Sequence, residues 1–405
     1  LEFRRVLFRS NAAGVAFNST SLPRQMRQEG TTEAAGEVQL TAATAGTIKA
    51  GSSVDVVFSV AITNNSALST NNISKANNVF CTAAATACPS SAAIQGTQTV
   101  RMSFSVDQTF AVGDAIVLSR VRVNANSALG VGSVIVTLAG GSSDPVNNAI
   151  TFSDPQRQVG VLNPTITVTT TSTSLPNAGV APLFRTCAFP NPAAPASTMF
   201  LRVTEVFPGA LTTLAGEAAL GNALPATNGS NLTITIGGVP AGITLAFTAN
   251  SQGTGLLTFA APTPASSVDQ TVAGAPQSFS FAVTAADGSA VERMTFEFGM
   301  KPTTTSTTNP LAIAAIGTPA TITAIVQVTP ITATDTIIPR FVANKIGPQT
   351  IGTITDCTTR LLMTWAATVA DVETGVALVN TSNDDAAFGA GALFGATPQN
   401  GTCTL

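Results

Sequence analysis

From residue 53 onward the chain keeps returning to a two-residue rhythm, and that rhythm restricts its fold more than anything else in it. In "SSVDVVFSVAIT" the residues Val54, Val56, Phe58, Val60 and Ile62 alternate with Asp55, Ser59 and Thr63. "TVRMSFSVD" sets Val100, Met102, Phe104 and Val106 against Arg101, Ser103 and Ser105. The same alternation runs through "AIVLSRVRVNA", "GSVIVTLAG", "NLTITIGG" and "GITLAFTAN". Successive side chains of a strand point to opposite faces, so these segments predict strands with one apolar and one polar face. Such strands pair into antiparallel sheets that cover their apolar faces by packing in twos. The expectation is all-β: tandem antiparallel β-sandwich modules, Ig-like, with the last one truncated.

Turn residues divide the pattern. In "QSFSFAVTAADGSAVERMTFEF" two strands, Phe279/Phe281/Val283 and Met294/Phe296/Phe298, flank Asp287-Gly288, and the pair predicts a hairpin. Helical signal is thin. "VTEVFPGALTTLAGEAALG" can hold a short helix, interrupted by Pro208 and Gly209. Two Thr/Ser-rich stretches, 168–179 and 301–310, read as linkers, with an exposed edge strand as the alternative because Thr favours strands. A further boundary falls near 334–341. The expected layout is a disordered or linker segment at 11–26, a sandwich at 27–167, a linker at 168–179, a second sandwich at 180–335 and an incomplete sandwich at 340–405.

Composition matters chiefly through what it removes. The 405 residues include no His, no Tyr and a single Trp beside 21 Phe. Without His, neither Ser-His-Asp nor Cys-His nucleophiles nor imidazole-ligated zinc can be built from these residues. Charged residues make up only 10% of the chain, against a usual quarter or so. No apolar run approaches the roughly 18 residues that cross a bilayer as a helix, so no membrane-spanning segment is expected in this region.

The opening "LEFRRVLFRS" stands apart. It carries Arg4, Arg5 and Arg9, and no apolar run or small-residue cleavage site follows it, so it does not read as a secretory leader. Its basic character ends too soon for an amphipathic surface helix. Residues 1–10 resemble the conceptual translation of a short-read sequencing adapter and are set aside from the fold. The expectation is that the chain is a fragment starting near Asn11 whose own signal peptide lies upstream. Without that segment 15 basic residues face 20 acidic ones, a net charge of −5, which offers no electrostatic footprint for nucleic acid.

The five cysteines are Cys81, Cys88, Cys187, Cys357 and Cys403. Cys81 and Cys88 bracket a small-residue loop in "FCTAAATACPSS", where a local disulfide closes easily. A C-x₆-C pair with no His and no second pair nearby is poor zinc spacing, so a disulfide is the better reading. An oxidising, extracytoplasmic setting follows. The odd count leaves one cysteine without a partner in this chain.

Two stretches resemble signatures of uncharacterised, secreted, β-rich bacterial surface proteins of repetitive style. One is "RQEGTTEAAGEVQLT" (27–41), in the pattern R-x-E-G-x-T-E-x-x-G-x-V-x-L, which opens a domain. The other is "CTTRLLMTWAATVADVETGVALVNTS" followed by "TPQNGTCTL". It departs from the pattern at "MTWAATVADVE", where the relatives are more aromatic. The resemblance implies a Cys357–Cys403 bridge, leaves Cys187 unpaired or joined to a segment outside the chain, and implies further strands after Cys403. It implies no catalytic residues.

Carboxylates are the only catalytic raw material. Asp371 with Glu373, and Asp384 with Asp385, are the densest acidic spots, and a hydrolase could use such a pair. The missing aromatic platform argues against it. Asn383, Asp384 and Asp385 offer oxygen ligands for Ca²⁺, but no D-x-D-x-D-G loop exists and solvated loop acids are the plainer reading. Glu33 and Glu37 read as solubilising residues at a strand edge. A Lys–Asn isopeptide staple would have to use Lys49, Lys75, Lys301 or Lys345. No catalytic, cofactor or metal site is therefore assigned. The leading functional expectation is a non-enzymatic extracellular or cell-surface structural or adhesive protein, with other surface proteins or polysaccharide as partners. The alternative is a carbohydrate- or ligand-binding module, which would expose aromatics around Trp365 with Phe341 or Phe388; Trp365 in "LLMTW" reads rather as core. A carboxylate-dependent hydrolase is the remote alternative.

Overall fold

A computed structural model describes residues 14–64, 73–82, 87–171, 183–185, 197–219, 229–240, 243–248, 258–259, 267–269, 275–302, 320–331, 341–342, 344–355, 368–369 and 372–373. The first sandwich opens with β1 (Val15–Leu22), β2 (Arg24–Arg27), β3 (Glu33–Ala34), β4 (Glu37–Ala42) and β5 (Gly46–Ile48). It continues with β6 (Ser53–Phe58), β7 (Val79–Cys81), β8 (Ser91–Gln95), β9 (Thr99–Ser103) and β10 (Gln108–Phe110). It closes with β11 (Ala115–Leu118), β12 (Arg122–Val123), β13 (Ser133–Gly141), β14 (Ile150–Phe152) and β15 (Gln156–Asn163). A five-stranded sheet in the order β14-β1-β4-β11-β7 faces a six-stranded sheet in the order β2-β15-β13-β6-β9-β8. The alternation produces this directly. Along β6 the buried residues are Val54, Val56 and Phe58, and along β9 Val100 and Met102, all meeting in one core. Phe17 of β1 packs edge-on against Phe110 at 5.5 Å between centroids, and Phe110 against Phe104 at 6.3 Å.

The second sandwich contains β16 (Ile166–Thr171), β17 (Leu183–Arg185), β18 (Ser197–Glu205), β19 (Ser230–Gly237), β20 (Ile243–Thr248) and β21 (Thr258–Phe259). Its remaining strands are β22 (Ser267–Asp269), β23 (Gln277–Ala285), β24 (Arg293–Pro302), β25 (Ala320–Pro330) and β26 (Asn344–Thr355). Sheet β16-β18-β24-β20-β22 faces sheet β17-β26-β25-β19-β23-β21. A final two-stranded ribbon joins β27 (Thr368–Val369) and β28 (Val372–Glu373). The chain is thus all-β, with tandem Ig-like sandwiches. Among the described strands pairing is antiparallel except at β1–β14, β2–β15 and β17–β26, which are parallel. Short helices α1 (Lys75–Asn78) and α2 (Leu214–Ala219) interrupt the strands. No helix among the described residues is long and apolar enough to cross a membrane.

Four sequence expectations need correction. Residues 11–26 are not linker over their length: Val15, Phe17 and Met26 are buried in the first core. The stretch 168–179 begins inside β16, which pairs with β18, because β-branched Val and Thr satisfy an edge strand better than a free linker. The second sandwich does not end at 335, since β26 pairs along β25 and buries Ile351 and Ile354. The Asp287-Gly288 segment is no hairpin: β23 and β24 belong to opposite sheets. Seven residues separate the two strands, and Asp287 Oδ1 accepts the Ser289 amide at 2.8 Å to turn the chain over the sandwich edge. The two phenylalanine rows therefore meet face to face across the core, Phe281 against Phe296 at 4.9 Å and Phe279 against Phe298 at 5.9 Å.

Candidate functional site: a buried ionic joint

In a chain so poor in charge, the few buried charges mark the place that matters. Among the described residues eight ionisable side chains are buried: Arg27, Glu29, Glu33, Arg122, Arg202, Glu205, Glu217 and Glu292. Five of them, Arg27, Glu29, Glu33, Arg122 and Glu217, meet where the sandwiches touch.

Strand geometry delivers them. At the end of β2, Met26 enters the first core, so its neighbour Arg27 must point the other way, into the joint. On β12 the same rule sends Val123 into the core and Arg122 outward. From the second sandwich comes Glu217 on α2, a helix begun by Thr213, whose Oγ1 accepts the Gly216 amide at 3.0 Å. Arg27 donates from Nε to Glu33 Oε1 at 2.8 Å, from Nη1 to Thr212 Oγ1 at 3.1 Å and from Nη2 to Glu217 Oε2 at 3.2 Å. Arg122 Nη1 donates to Glu217 Oε1 at 2.8 Å and to the Thr32 carbonyl at 2.7 Å. Thr212 Oγ1 donates to Glu217 Oε2 at 3.1 Å. One carboxylate thus bridges two guanidinium groups of the neighbouring sandwich.

The rest of the joint is backbone and packing. Glu29 Oε2 accepts from the Thr165 hydroxyl at 2.6 Å and from its amide at 3.2 Å, fixing the crossing between β15 and β16. The Glu29 carbonyl accepts the Val342 amide at 2.8 Å, and Gly30 bridges Phe341. Arg27 lies over the Phe341 ring, 4.8 Å from its centroid, a cation–π contact. Gly30 is required by close approach, because a Cβ there would fall 2.2 Å from Glu33 Oε1. Beside this cluster lies a cleft of about 180 Å³, walled by Arg24, Arg27 and Glu33 on one side and Phe207, Leu211 and Thr212 on the other.

The electrostatics follow from burial. Desolvation opposes the charge on Arg27, but Glu33 and Glu217 outweigh it and hold the guanidinium protonated. Burial also works against Glu217, yet Arg27 and Arg122 prevail and keep its carboxyl below the ordinary range. For Glu33 burial wins, and its carboxyl is raised despite Arg27. Behind the joint, at the end of β18, burial pushes Glu205 up to about 7. Its oxygens accept the amides of Leu211 at 2.6 Å and Glu292 at 3.0 Å.

The sequence-derived candidates fare unequally. Cys81 and Cys88 form a disulfide, with Cα atoms 5.9 Å apart and both residues packed against the first core. Cys187, Cys357 and Cys403 lie outside the described residues, as do Trp365, Asp371, Asn383, Asp384, Asp385 and Phe388, and of Glu373 only the backbone is described. Phe341 is partly buried under Arg27 and is not an exposed platform. Glu37 is exposed as expected of a solubilising residue, but Glu33 is only 5% exposed and belongs to the joint. Lys49 makes an exposed ion pair with Asp107 at 2.8 Å. No cluster of metal-ligating side chains occurs among the described residues. Arg122, Thr212 and Glu217 carry no sequence signal of a joint. Residues 27–33 do carry one, because three charges in seven residues are conspicuous in a chain that is 10% charged.

No family model and no curated protein matches the chain. Among solved structures, the partial N-terminal region of an enterococcal surface protein aligns at 9% identity over 87% of this chain and 97% of that one, with a TM-score of 0.20. The N-terminal domain of the Streptococcus gordonii adhesin Sgo0707 aligns at 7% identity over 80% of this chain and 62% of that one, with a TM-score of 0.22. Similarity at this level decides neither fold nor task, which rest on the geometry of the chain itself.

Proposed function

We propose that this chain is a non-enzymatic structural or adhesive protein of the cell exterior, in which tandem sandwiches are locked end to end as a stiff spacer. The observation that carries the reading is the joint. A flexible tether would leave its charges in water, whereas here Glu217 of one sandwich is fully buried between Arg27 and Arg122 of the other. Dry ion pairs of this kind do little for net stability but tolerate few alternative arrangements, so they favour one relative orientation. The Cys81–Cys88 disulfide fits an oxidising compartment. A chain without His also lacks the commonest general acid–base group. Immunolabelling of intact cells that carry the gene, with an antibody raised against the first sandwich, tests the location. Labelling without permeabilisation is expected; a signal that appears only after permeabilisation overturns it.

A further inference from the structure

The joint concentrates carboxylates on one side of its charge balance and groups that never titrate below neutrality on the other. In the ion-paired core of the joint Glu33 and Glu217 match Arg27 and Arg122, while Glu29 is a further acid of the joint, held on Thr165. Once Glu33 is protonated, Glu217 is the carboxylate left ion-paired to the two guanidinium groups, and its protonation leaves both without an ion-paired carboxylate. Arg122 is the more exposed to this loss in energetic terms. It is 1% solvent-accessible, its Nε and Nη2 have no hydrogen-bond partner among the described residues, and Glu217 is the carboxylate ion-paired to it there, with Glu33 acting on it from farther off. Breaking a buried pair from one side leaves an uncompensated charge and is strongly unfavourable.

We propose that the joint is an acid-released clasp: the two sandwiches are docked at neutral pH and separate in acid while each remains folded. This goes beyond the spacer reading and depends only on the docked geometry. The groups that face the clasp are few. Glu33 faces Arg27 and Arg122 from β3; Glu217 faces the same two from α2; Glu29 crosses the joint to Thr165; Arg24 of β2 lines the adjacent cleft; and Glu205, Glu292 and Asp287 lie behind it in the second sandwich. Glu33, raised by burial, takes its proton first and, like any raised acid, does not weaken the joint in doing so, so the acid release rests on Glu217. Glu217 is held below its ordinary value of 4.5, so its contribution is complete above that pH and is lost as pH falls through the lower, folded value. Glu205 has the opposite sign. Raised to about 7, it strengthens the second sandwich as pH drops toward 4.5. Acid therefore weakens the clasp through Glu217 while it firms the body beside it, which separates undocking from unfolding.

The test is the distance distribution between spin labels attached by non-cysteine chemistry at exposed Ala93 and Ser278, read with far-ultraviolet circular dichroism on the same samples. At pH 7 and pH 5 the distribution should be narrow. Below about pH 4.5 it should broaden at least twofold while the strand signal is kept. Glu217→Gln should broaden it already at pH 7, and Glu33→Gln should leave it narrow there. Should Glu217→Gln fail to fold, the acid titration of the unaltered chain decides alone. A distribution that stays narrow down to pH 3, or broadens only together with loss of the strand signal, overturns the acid-released clasp. A broad distribution at pH 7 in the unaltered chain would instead overturn the docked joint itself.

Discussion

The core of the first sandwich and the joint at its end are both buried, yet they are held by opposite means. In the core, Phe17, Phe104, Phe110 and their aliphatic neighbours exclude water with no polar atom to satisfy. Each such side chain contributes roughly 1.5–3 kcal/mol on full burial, and neighbours of similar shape substitute readily. In the joint, Arg27, Arg122, Glu33 and Glu217 bring polar atoms that each need a partner at a set distance. The gain over water is small, but a displaced joint strands a charge. Apolar burial thus makes the sandwiches stable, and charge burial makes their relation specific.

That contrast is open to attack from several sides. The largest effect belongs to the core: Phe17→Ala should cost about 3–5 kcal/mol, seen as a lowered denaturant midpoint for the first sandwich with the second unchanged. If both sandwiches lose stability together, the two are one cooperative unit rather than two locked ones. Gly30→Ala strikes the joint with a single methyl group against Glu33. A cost of about 1–3 kcal/mol is expected, together with faster proteolytic cutting near residues 163–166, and an unchanged digestion rate would argue that the clasp is dispensable. Smaller and of distinctive shape is the pH response of the second sandwich. Since Glu205 titrates near 7 rather than 4.5, its stabilising effect is full below the ordinary value and fades as pH rises through 7. The melting temperature of that sandwich should fall from pH 5 to pH 8, and Glu205→Gln should flatten the slope. Lys49→Ala, which removes an exposed pair with Asp107, should leave both melting temperatures unchanged.

How much of this was legible in the sequence tracks the same contrast. Alternation marks core strands without ambiguity, and β6, β9, β13, β19, β23 and β24 are visible as runs before any coordinates. What alternation lacks is any statement of which sheet a strand joins, so β23 and β24 read as a hairpin while packing on opposite sheets. It also fails where composition imitates a linker: Thr169, Thr170 and Thr171 look like a tether and pair as an edge strand. The joint was hidden for a different reason. Arg27 and Glu217 are 190 residues apart, and nothing in either segment names the other. The motif 27–41 stands out as a resemblance, and its Glu33 reads as a surface residue because a Glu on a strand edge normally faces water. Its burial depends on a neighbour that alternation cannot place.

The central claim is that the Arg122–Glu217 pair holds the sandwiches together, and a double-mutant cycle on it is the most direct test. Glu217→Met should cost about 3–5 kcal/mol, because it strips Arg122 of its ion pair, and Arg122→Met should cost less, because Arg27 still pairs with Glu217. The double substitution should cost well under the sum, with a coupling of at least about 1 kcal/mol, since no charge is then stranded. Two single losses below about 0.5 kcal/mol that simply add would mean that the charges sit in water and that the joint is not what fixes the two sandwiches.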